Sequence, residues 1–318
     1  MGKRGDARRF EDIGFAAYLT KPVKQSQFYD CLGLVTGRQK DTPDDEPSVI
    51  VTRHSIAEYQ KRRVRFLLAE DNEINQQVAL GILKNFGYRT DVVSNGKEAV
   101  EAMERIPYDI VLMDCQMPQM DGYAATKEIR SSRSKVLNHK VPIIAMTANA
   151  MKGDREKCLA VGMNDYIPKP IHPEKLLKVI EKWLVKTNGG ARQDEIPCNL
   201  EPVKTVFDKT GLIDRLLGDK DLAREILDGF MADVPHKFNT LKKALDNGDG
   251  RLIQQQAHSL KGASANVGAM ALEKIACQIE LAGKAMDLIK ASALISELDN
   301  QFETLKESLA SDYHLRRH

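Results

Sequence analysis

Two apolar runs near the middle of the chain constrain its fold most strongly. They extend from Ile110 to Met113 and from Ile143 to Met146, and neither alternates with polar residues. A strand with one face in water would alternate, so these runs predict strands that are covered on both faces, as in a parallel sheet. Three shorter strand candidates, at residues 65–69, 89–93 and 165–167, bring the predicted sheet to five strands.

Helical patterns separate these strand candidates. From Glu73 to Phe86, apolar residues recur at helical spacing, with Val78, Ile82 and Phe86 on one face. Repeated strand–helix units of this length predict an α/β domain with a doubly wound, flavodoxin-like parallel sheet. In this architecture the functional residues lie at the carboxyl ends of the strands.

The C-terminal third of the chain has a different pattern. From Asp208 to about Ala310 the sequence shows long helical periodicities, which are interrupted by Gly-Asp, by Asn-Gly-Asp and by Gly268. It carries no strand signal. These features predict an all-α domain, an antiparallel bundle of the four-helix type.

Two polar segments rich in proline, glycine and charged residues divide the chain. We therefore predict linkers at residues 37–62 and 187–206. The α/β domain is predicted at residues 63–186 and the helical domain at residues 207–312.

The stretch "GFAAYLTKPV", from Gly14 to Val23, repeats the arrangement of "GMNDYIPKPI" in the α/β domain, with Gly, Tyr, Lys and Pro at equal spacing. Residues 1–36 are therefore predicted to be the C-terminal remnant of a second unit of the same kind. This remnant lacks an acidic pocket, so Lys21 has no carboxylates to pair with. On this hypothesis Met1 is not the natural start of the protein, and the remnant packs poorly or docks on a neighbour.

The charge balance and the cysteines exclude several classes of protein. Lys and Arg number 47 against 45 Asp and Glu, for a net charge of +2. This balance argues against a protein that neutralises nucleic-acid phosphates. The five cysteines are scattered without a C-x-x-C pair, so we predict reduced thiols, no zinc site and a cytoplasmic location. No apolar run approaches the roughly 20 residues that span a bilayer, so this chain is not expected to contact a membrane, although a longer parent could be anchored in the inner membrane.

Polar side chains follow the predicted strands at the point where each strand ends. Glu70 and Asp71 follow the first strand, Asp114 ends the third, Thr147 ends the fourth and Lys169 follows the fifth. Because these ends share one edge of a parallel sheet, we expect the side chains to converge. Clustered carboxylates repel one another unless a cation joins them, and hard oxygen ligands favour Mg²⁺. Such a pocket, with a lysine and a threonine, is suited to phosphoryl transfer.

An alternative interpretation applies to each carboxylate taken singly. Asp71 or Asn72, for example, could cap a helix that begins near Glu73. The occurrence of such residues at successive strand ends favours the shared pocket over separate caps.

One histidine in the helical domain has informative neighbours. His258 lies in "AHSLKGASANVGA", and Lys261 and Gly262 follow it at i+3 and i+4. The predicted core face of this helix is formed by Ile253, Ala257, Leu260, Ser264 and Val267. His258 lies roughly 120–140° from the centre of that face, which predicts an imidazole exposed to solvent. The alternative is an exposed histidine beside an incidental Lys-Gly pair.

Four motifs of the middle block occur in a recognisable order: "LLAEDNEINQ", "DIVLMDCQMPQMDG", "PIIAMTANAM" and "DYIPKP". From about Val64 to Leu184 the chain resembles a response-regulator receiver domain of the kind attached to hybrid sensor histidine kinases. The resemblance implies that Asp114 is the phosphoacceptor and that the Lys169-Pro170 bond is cis. It further implies a Mg²⁺ site of Glu70, Asp71, Asp114 and the Gln116 main-chain carbonyl, phosphoryl contacts from Thr147 and Lys169, and Tyr166 as a switch residue.

The segment around His258 resembles the motif of histidine-phosphotransfer (HPt) domains. This resemblance implies that His258 is a second phosphoacceptor, with Lys261 and Gly262 in support. Together the two resemblances imply the C-terminal relay part of a hybrid kinase. A kinase histidine outside this chain would phosphorylate Asp114, His258 would take the group from Asp114, and a downstream response regulator would receive it.

Two other functions stay open at this level. The chain shows no ATP-binding motif, so its classification as an enzyme is undecided, and it could act as a non-catalytic regulatory and interaction module of a sensor kinase. A metal-dependent phosphatase is disfavoured, because Gln116 stands where such an enzyme needs a second aspartate.

Overall fold

The computed structural model describes residues 10, 13–19, 23, 25–41, 51–52, 61, 63–147, 152–187 and 207–314 of the 318. These residues belong to two compact units, one of which takes in the chain up to Arg65 together with residues 87–89. The second takes in residues 66–86 and 90–318.

The first unit contains a small sheet beside one long helix. Strand β1 (Ala17–Tyr18) pairs in parallel with β2 (Val51–Thr52), and helix α1 spans Gln25–Asp41. Cys31 and Val51 form its buried centre, whereas Phe15 and Tyr29 are largely exposed.

Two sequence predictions bear on this unit. The predicted linker at residues 37–62 contains the end of α1 and the whole of β2, so it is not irregular throughout. Lys21 and Pro22 of the repeated motif lie outside the described residues. That residues 1–36 are a remnant of a second α/β unit stays a prediction.

From Arg65 onward the chain forms five strands that alternate with helices. The strands are β3 (Arg65–Ala69), β4 (Arg89–Val93), β5 (Ile110–Asp114), β6 (Ile143–Thr147) and β7 (Asp165–Pro168). The helices are α2 (Glu73–Asn85), α3 (Gly96–Arg105), α4 (Gly122–Arg130), α5 (Lys152–Ala160) and α6 (Pro173–Thr187).

The five strands form one sheet in the order β4-β3-β5-β6-β7. The pairs β3–β5, β5–β6 and β6–β7 are parallel, with Asp114 opposite Met146 and Thr147 opposite Pro168. Every residue of β5 and β6 is buried. The prediction that these apolar runs are central strands covered on both faces is therefore confirmed, as is the flavodoxin-like architecture.

The end of β3 leads into a capped helix. The side chain of Asn72 accepts hydrogen bonds from the backbone N–H groups of Ile74 and Asn75, at 3.0 and 3.2 Å, and so caps α2. Because Asn72 takes the capping role, Asp71 is left to face the strand-end pocket.

Helices account for the described remainder of the second unit. They are α7 (Lys209–Arg215), α8 (Lys220–Asp246), α9 (Gly250–Val267), α10 (Met270–Lys284) and α11 (Leu288–His314). The long helices α8 to α11 pack as a bundle. The predicted core face of α9 is confirmed, because all five of its side chains are buried: Ile253, Ala257, Leu260, Ser264 and Val267. In the part of the chain that the structure describes, no helix is long and apolar enough to span a membrane.

Candidate functional site

Three carboxylates meet at the carboxyl edge of the sheet. Glu70 and Asp71 follow β3, and Asp114 ends β5, which pairs with β3. Oxygen atoms of the three side chains lie within 4.8 Å of one another. Glu70 is 1% exposed and Asp114 is 2% exposed, whereas Asp71 is partly open to solvent. The structure thus brings together the acidic residues that the sequence placed at successive strand ends.

Lys169 enters this cluster from the turn after β7. Its Nζ lies 2.6 Å from Glu70 Oε2 and 2.7 Å from Asp114 Oδ2, and its side chain is 3% exposed. Its backbone N–H donates to the carbonyl oxygen of Thr147 at 2.7 Å, which ties the turn to the end of β6. The peptide bond between Lys169 and Pro170 is cis, as the sequence resemblance implied.

The pocket carries more negative than positive charge, with three carboxylates around one ammonium group. Burial raises the pKa of Glu70 to about 8, the charge of Asp114 adds to the rise, and Lys169 only partly opposes it. Burial and Asp114 also raise the pKa of Asp71. For Lys169, burial alone would lower the pKa, but the charges of Asp114 and Glu70 outweigh it and raise the pKa. The site therefore favours an added cation.

Three further predicted residues lie on or just after strands β5, β6 and β7. The backbone N–H of Gln116 donates to Asp114 Oδ1 at 3.2 Å. Thr147 is buried at the end of β6, beside the turn that carries Lys169. Tyr166 lies on the neighbouring strand β7 and packs, partly buried, against the core of the sheet.

His258 lies on α9 and is held by a side chain from α10. Its Nδ1 is 2.8 Å from Glu280 Oε1, and Lys261 Nζ is 2.8 Å from the other oxygen of the same carboxylate. Burial would raise the pKa of Glu280, but these two partners outweigh it and lower the pKa. A carboxylate only accepts hydrogen bonds, so the proton of a neutral His258 resides on Nδ1, and Nε2 carries the lone pair.

The prediction that the His258 imidazole faces solvent is wrong in degree. Its side chain is 12% exposed, because Glu280 covers one side and a cleft toward the α/β domain forms the other. Lys261 is also buried by its contact with Glu280. Helical periodicity located the core face correctly, but it could not show that a second domain lies beside His258.

The cleft joins the two groups of predicted residues. It has a volume of about 440 Å³, and its lining includes Asp71, Gln116, Arg251, Gln254 and His258. Asp71 and Gln116 come from the acidic edge of the sheet, whereas the last three come from α9. His258 and the acidic pocket therefore open into one shared space.

Hydrogen bonds between the two domains border this cleft. Asn72 Nδ2 donates to the backbone oxygen of Ser259 at 3.2 Å and to its Oγ at 2.9 Å. Lys237 Nζ, from α8, donates to the same Oγ at 3.0 Å. The residue that caps α2 thus also contacts the neighbour of His258.

Helix α2 packs against α8 and α9 through positions where glycine brings the backbones close. A Cβ on Gly81 would lie 2.5 Å from Leu222 Cδ2, and one on Gly229 would lie 3.4 Å from Ile74 Cδ1. A Cβ on Gly262 would lie 3.1 Å from Asn75 Nδ2. The space that Gly262 leaves one helical turn after His258 is therefore occupied by the Asn75 side chain of the α/β domain.

Sequence reasoning missed Glu280, Asn75, Asn266 and Ser259 as site residues. Glu280 is 22 positions from His258, and Asn75 is 191 positions from Asn266. The sequence did offer one signal for them, because asparagine, serine and glutamate occur at positions that helical periodicity predicts to be partly buried. It could not tell which of them face one another.

Comparison with known proteins agrees with this division. Residues 66–181 match the family model of the response regulator receiver domain, and residues 225–308 match that of the Hpt domain. The sensor histidine kinase GacS of Pseudomonas protegens is 32% identical over 242 residues, which are 75% of this chain and 26% of GacS. BarA of Escherichia coli, a signal transduction histidine-protein kinase, is 25% identical over 278 residues, which are 86% of this chain and 28% of BarA.

The chain thus spans only about a quarter of the length of these relatives. Among solved structures, the receiver domain of a sensor histidine kinase from Pseudomonas aeruginosa PAO1 is 47% identical and has magnesium coordinated in its active-site cleft. The similarity covers 38% of this chain and 98% of that chain, with a TM-score of 0.35.

Proposed function

We propose, from the premise that this chain carries a response regulator receiver domain followed by an Hpt domain, that Asp114 accepts a phosphoryl group and passes it to His258. Receiver and Hpt domains in hybrid kinases indicate phosphorelay in a two-component system. We place the receiver at residues 63–186 and the Hpt domain at residues 207–312, in the C-terminal part of a hybrid kinase.

The acidic pocket fits a divalent cation. Its carboxylates supply hard oxygen ligands, and the pKa of Glu70 is raised by burial and by the charge of Asp114, which Lys169 only partly opposes. We assign Glu70, Asp71, Asp114 and the Gln116 main-chain carbonyl to a Mg²⁺ site, with Glu70 acting through its charge. A bound Mg²⁺ would neutralise charge on the phosphoryl oxygens.

The chain's own residues supply the rest of the receiver chemistry. Lys169 now bridges Glu70 and Asp114, and it is placed to pair with phosphoryl oxygens once Asp114 is modified. The hydroxyl of Thr147 is assigned a hydrogen bond to the same group, and Tyr166 is assigned the switch position behind it. Burial of this edge strengthens each of these interactions.

Transfer to His258 needs only a nucleophile at the open face of the pocket. Glu280 holds the Nδ1 proton, so Nε2 attacks phosphorus with its lone pair. The bond between phosphorus and the Asp114 oxygen breaks, its electron pair returns to the carboxylate, and a bond between phosphorus and nitrogen forms. Lys261, paired with Glu280, keeps positive charge beside the new phosphoimidazole.

The observation that carries this proposal is the shared cleft. Asp71, Gln116 and His258 line one space of about 440 Å³, and the Asn72–Ser259 hydrogen bonds border it. We further propose an upstream kinase histidine as phosphodonor and a downstream response regulator as acceptor. The free thiols of Cys31, Cys115, Cys158 and Cys277 support a cytoplasmic location for the reaction.

Labelling with acetyl phosphate and Mg²⁺ tests the two assignments. Asp114→Asn is expected to abolish labelling, whereas His258→Ala is expected to keep the acyl phosphate but block delivery to a downstream receiver. His236→Ala is the matched control, because His236 is exposed on α8. Equal labelling of the wild type and Asp114→Asn would contradict the proposal, and so would delivery by His258→Ala.

A further inference from the structure

We infer that Asn75 is a positioning and specificity-determining residue, through which the acidic pocket recognises the Hpt domain of this chain. The inference rests on the proposed transfer from Asp114 to His258. It concerns which Hpt surface is accepted and how closely that surface seats against the pocket.

On the receiver side, Asn75 is bound to the acidic pocket itself. Its Nδ2 donates to Glu70 Oε1 at 2.6 Å, and the other oxygen of Glu70 accepts from Lys169 at 2.6 Å. Asn75 is 2% exposed on the first turn of α2. The backbone N–H of Ile171 donates to Asn266 Oδ1, so Asn266 presents its Nδ2 to Asn75. The amide of Asn75 therefore has its oxygen toward Asn266 and its nitrogen toward Glu70.

That orientation directs the amide oxygen of Asn75 toward the Hpt domain. Asn266 Nδ2, on α9, donates to Asn75 Oδ1 at 2.7 Å, and Asn266 Oδ1 accepts from the backbone N–H of Ile171 at 3.4 Å. Asn266 is fully buried. A chain of hydrogen bonds therefore runs from Lys169 through Glu70 and Asn75 to Asn266. A partner without a donor at this place would leave a buried oxygen unpaired.

A steric requirement accompanies this polar one. The Cβ that any other residue would add at Gly262 would lie 3.1 Å from Asn75 Nδ2, closer than carbon and nitrogen normally approach. Gly262 is one helical turn after His258, and Asn266 is two turns after it. Asn75 thus constrains two positions of the helix that carries His258. Position 262 must lack a side chain, and position 266 must supply a hydrogen-bond donor.

These contacts explain why position 75 requires an asparagine. An aspartate at position 75 would place a fourth carboxylate against Glu70, and an alanine would remove both hydrogen bonds. Of these three side chains, only the amide can donate to Glu70 while it accepts from Asn266.

The test measures single-turnover transfer in the full chain, in which Asp114 is loaded with labelled acetyl phosphate and Mg²⁺. Acid-stable and acid-labile label separate the acyl phosphate from phosphohistidine, so transfer is scored relative to Asp114 loading. We expect Asn266→Ala to slow transfer by about 10-fold, the loss of one buried hydrogen bond. The double variant Asn75→Ala/Asn266→Ala is expected to be no slower than Asn75→Ala. If the two residues acted independently, the double variant would slow transfer by the product of the two single effects, and this result would overturn the inference.

A second experiment uses a variant that changes no residue of the acidic pocket. Asn266→Asp keeps the size of the side chain and its acceptor for Ile171, but it places an oxygen against Asn75 Oδ1. Because a flipped Asn75 amide would lose its hydrogen bond to Glu70, we expect Asn266→Asp to transfer more slowly than Asn266→Ala, when both are measured below their thermal midpoints of unfolding. Transfer by Asn266→Asp as fast as wild type would overturn the inference.

The steric requirement has its own variant. Gly262→Ala is expected to slow transfer by about 10-fold, and Gly262→Ala/Asn75→Ala is expected to lose less than the product of the single effects, because the clash is relieved. Multiplicative effects would contradict the steric role.

Asn138→Ala and Asn300→Ala, which change exposed asparagines of the two domains, are expected to match wild type. If the wild type passes no label from Asp114 to His258, the proposed function fails. If the wild type does pass label, but each double variant slows transfer by the product of its two single effects, only this inference fails.

Discussion

At the scale of single residues, the two proposed phosphoacceptors, Asp114 and His258, are held by different means. Asp114 is buried and is fixed by Lys169 and by the backbone N–H of Gln116, in a pocket that opens into the shared cleft. His258 is fixed through one ring nitrogen by Glu280, at the edge of a cleft. A buried carboxylate can be aligned by charge, whereas a neutral imidazole needs its tautomer and its ring orientation set by a hydrogen bond.

Glu280 should therefore influence transfer without touching the phosphoryl group. Glu280→Ala removes the acceptor of the Nδ1 proton and leaves Lys261 unpaired, so we expect transfer from Asp114 to His258 to slow about 10-fold. Glu280→Gln should recover part of the rate, because its amide oxygen can still accept from Nδ1. Single-turnover transfer measures both variants. Glu297→Ala, at an exposed position of α11, is the control, and a Glu280→Ala rate equal to it would contradict this role.

His172 gives a pH-dependent prediction. Burial lowers its pKa below the usual 6.5, and the charges of Lys175 and Arg215 lower it further. Near that pH the folded chain binds fewer protons than the unfolded chain, so the stability from His172 is present above about 6.5 and is lost as the pH falls. We expect His172→Gln to reduce the fall in thermal midpoint between about pH 7.5 and 5.5.

The matched variant for this measurement is His236→Gln, which changes an exposed histidine on α8. It should retain the fall in midpoint that the wild type shows. An unchanged pH profile in His172→Gln would show that this histidine does not couple protonation to folding.

At the scale of elements, α2 and α9 each serve two purposes. Helix α2 is capped by Asn72, which borders the acidic pocket, and its outer face packs on the Hpt bundle. Helix α9 buries one face in the bundle and presents His258, Gly262 and Asn266 toward the receiver. Because both helices start or end near the shared cleft, the packing of α2 on α9 also sets how closely His258 approaches the acidic pocket.

The end of α9 depends on a glycine. Gly268 has φ of 84°, in the left-handed region, and a Cβ there would lie 2.7 Å from the carbonyl oxygen of Asp208. The backbone strain of alanine in this region costs roughly 1–2 kcal/mol, and the contact with a backbone oxygen adds about 1–3 kcal/mol. Gly268→Ala is therefore expected to lower the free energy of unfolding in urea titration by about 2 kcal/mol or more.

Gly248 provides the control for that variant. It also has positive φ, at 68°, but the nearest atom to an added Cβ would be Leu288 Cδ1 at 3.8 Å. Gly248→Ala should show the backbone strain alone. Equal losses for the two variants would mean that the contact with Asp208 carries no cost.

At the scale of the whole molecule, the receiver and the Hpt domain belong to one compact unit. Their contacts connect residues 187 and 191 positions apart, as in Asn72–Ser259 and Asn75–Asn266. Under the proposed transfer, docking of this kind would hold Asp114 and His258 of a single chain at an effective concentration on the order of mM. Transfer within one chain is the consequence that can be tested.

We expect the rate of transfer from Asp114 to His258 in the wild-type chain to be independent of protein concentration. A mixture of loaded His258→Ala chains with Asp114→Asn chains permits only transfer between chains, and its rate should rise in proportion to concentration. At about 1 µM the mixture should be at least about 100-fold slower than the wild type, given an effective concentration on the order of mM. A wild-type rate proportional to concentration would contradict transfer within the chain.

Much of the architecture and of the receiver site could be predicted from the sequence. Unbroken apolar runs identify buried strands, and the parallel arrangement places Glu70, Asp71, Asp114 and Lys169 at one edge, where the structure has them. The core face of α9 followed from helical periodicity in the same way. These inferences succeed because residues of one strand or helix are related by a fixed geometry.

The tertiary structure alone decided how the two domains meet. Periodicity placed His258 away from the core of its own bundle, but it could not show that Glu280 and the receiver would cover it. Nor could it pair Asn75 with Asn266, since that pairing depends on the docking of two domains across 191 residues. Local patterns in a sequence report which face of an element is buried, whereas the identity of the group that buries it is set by long-range packing.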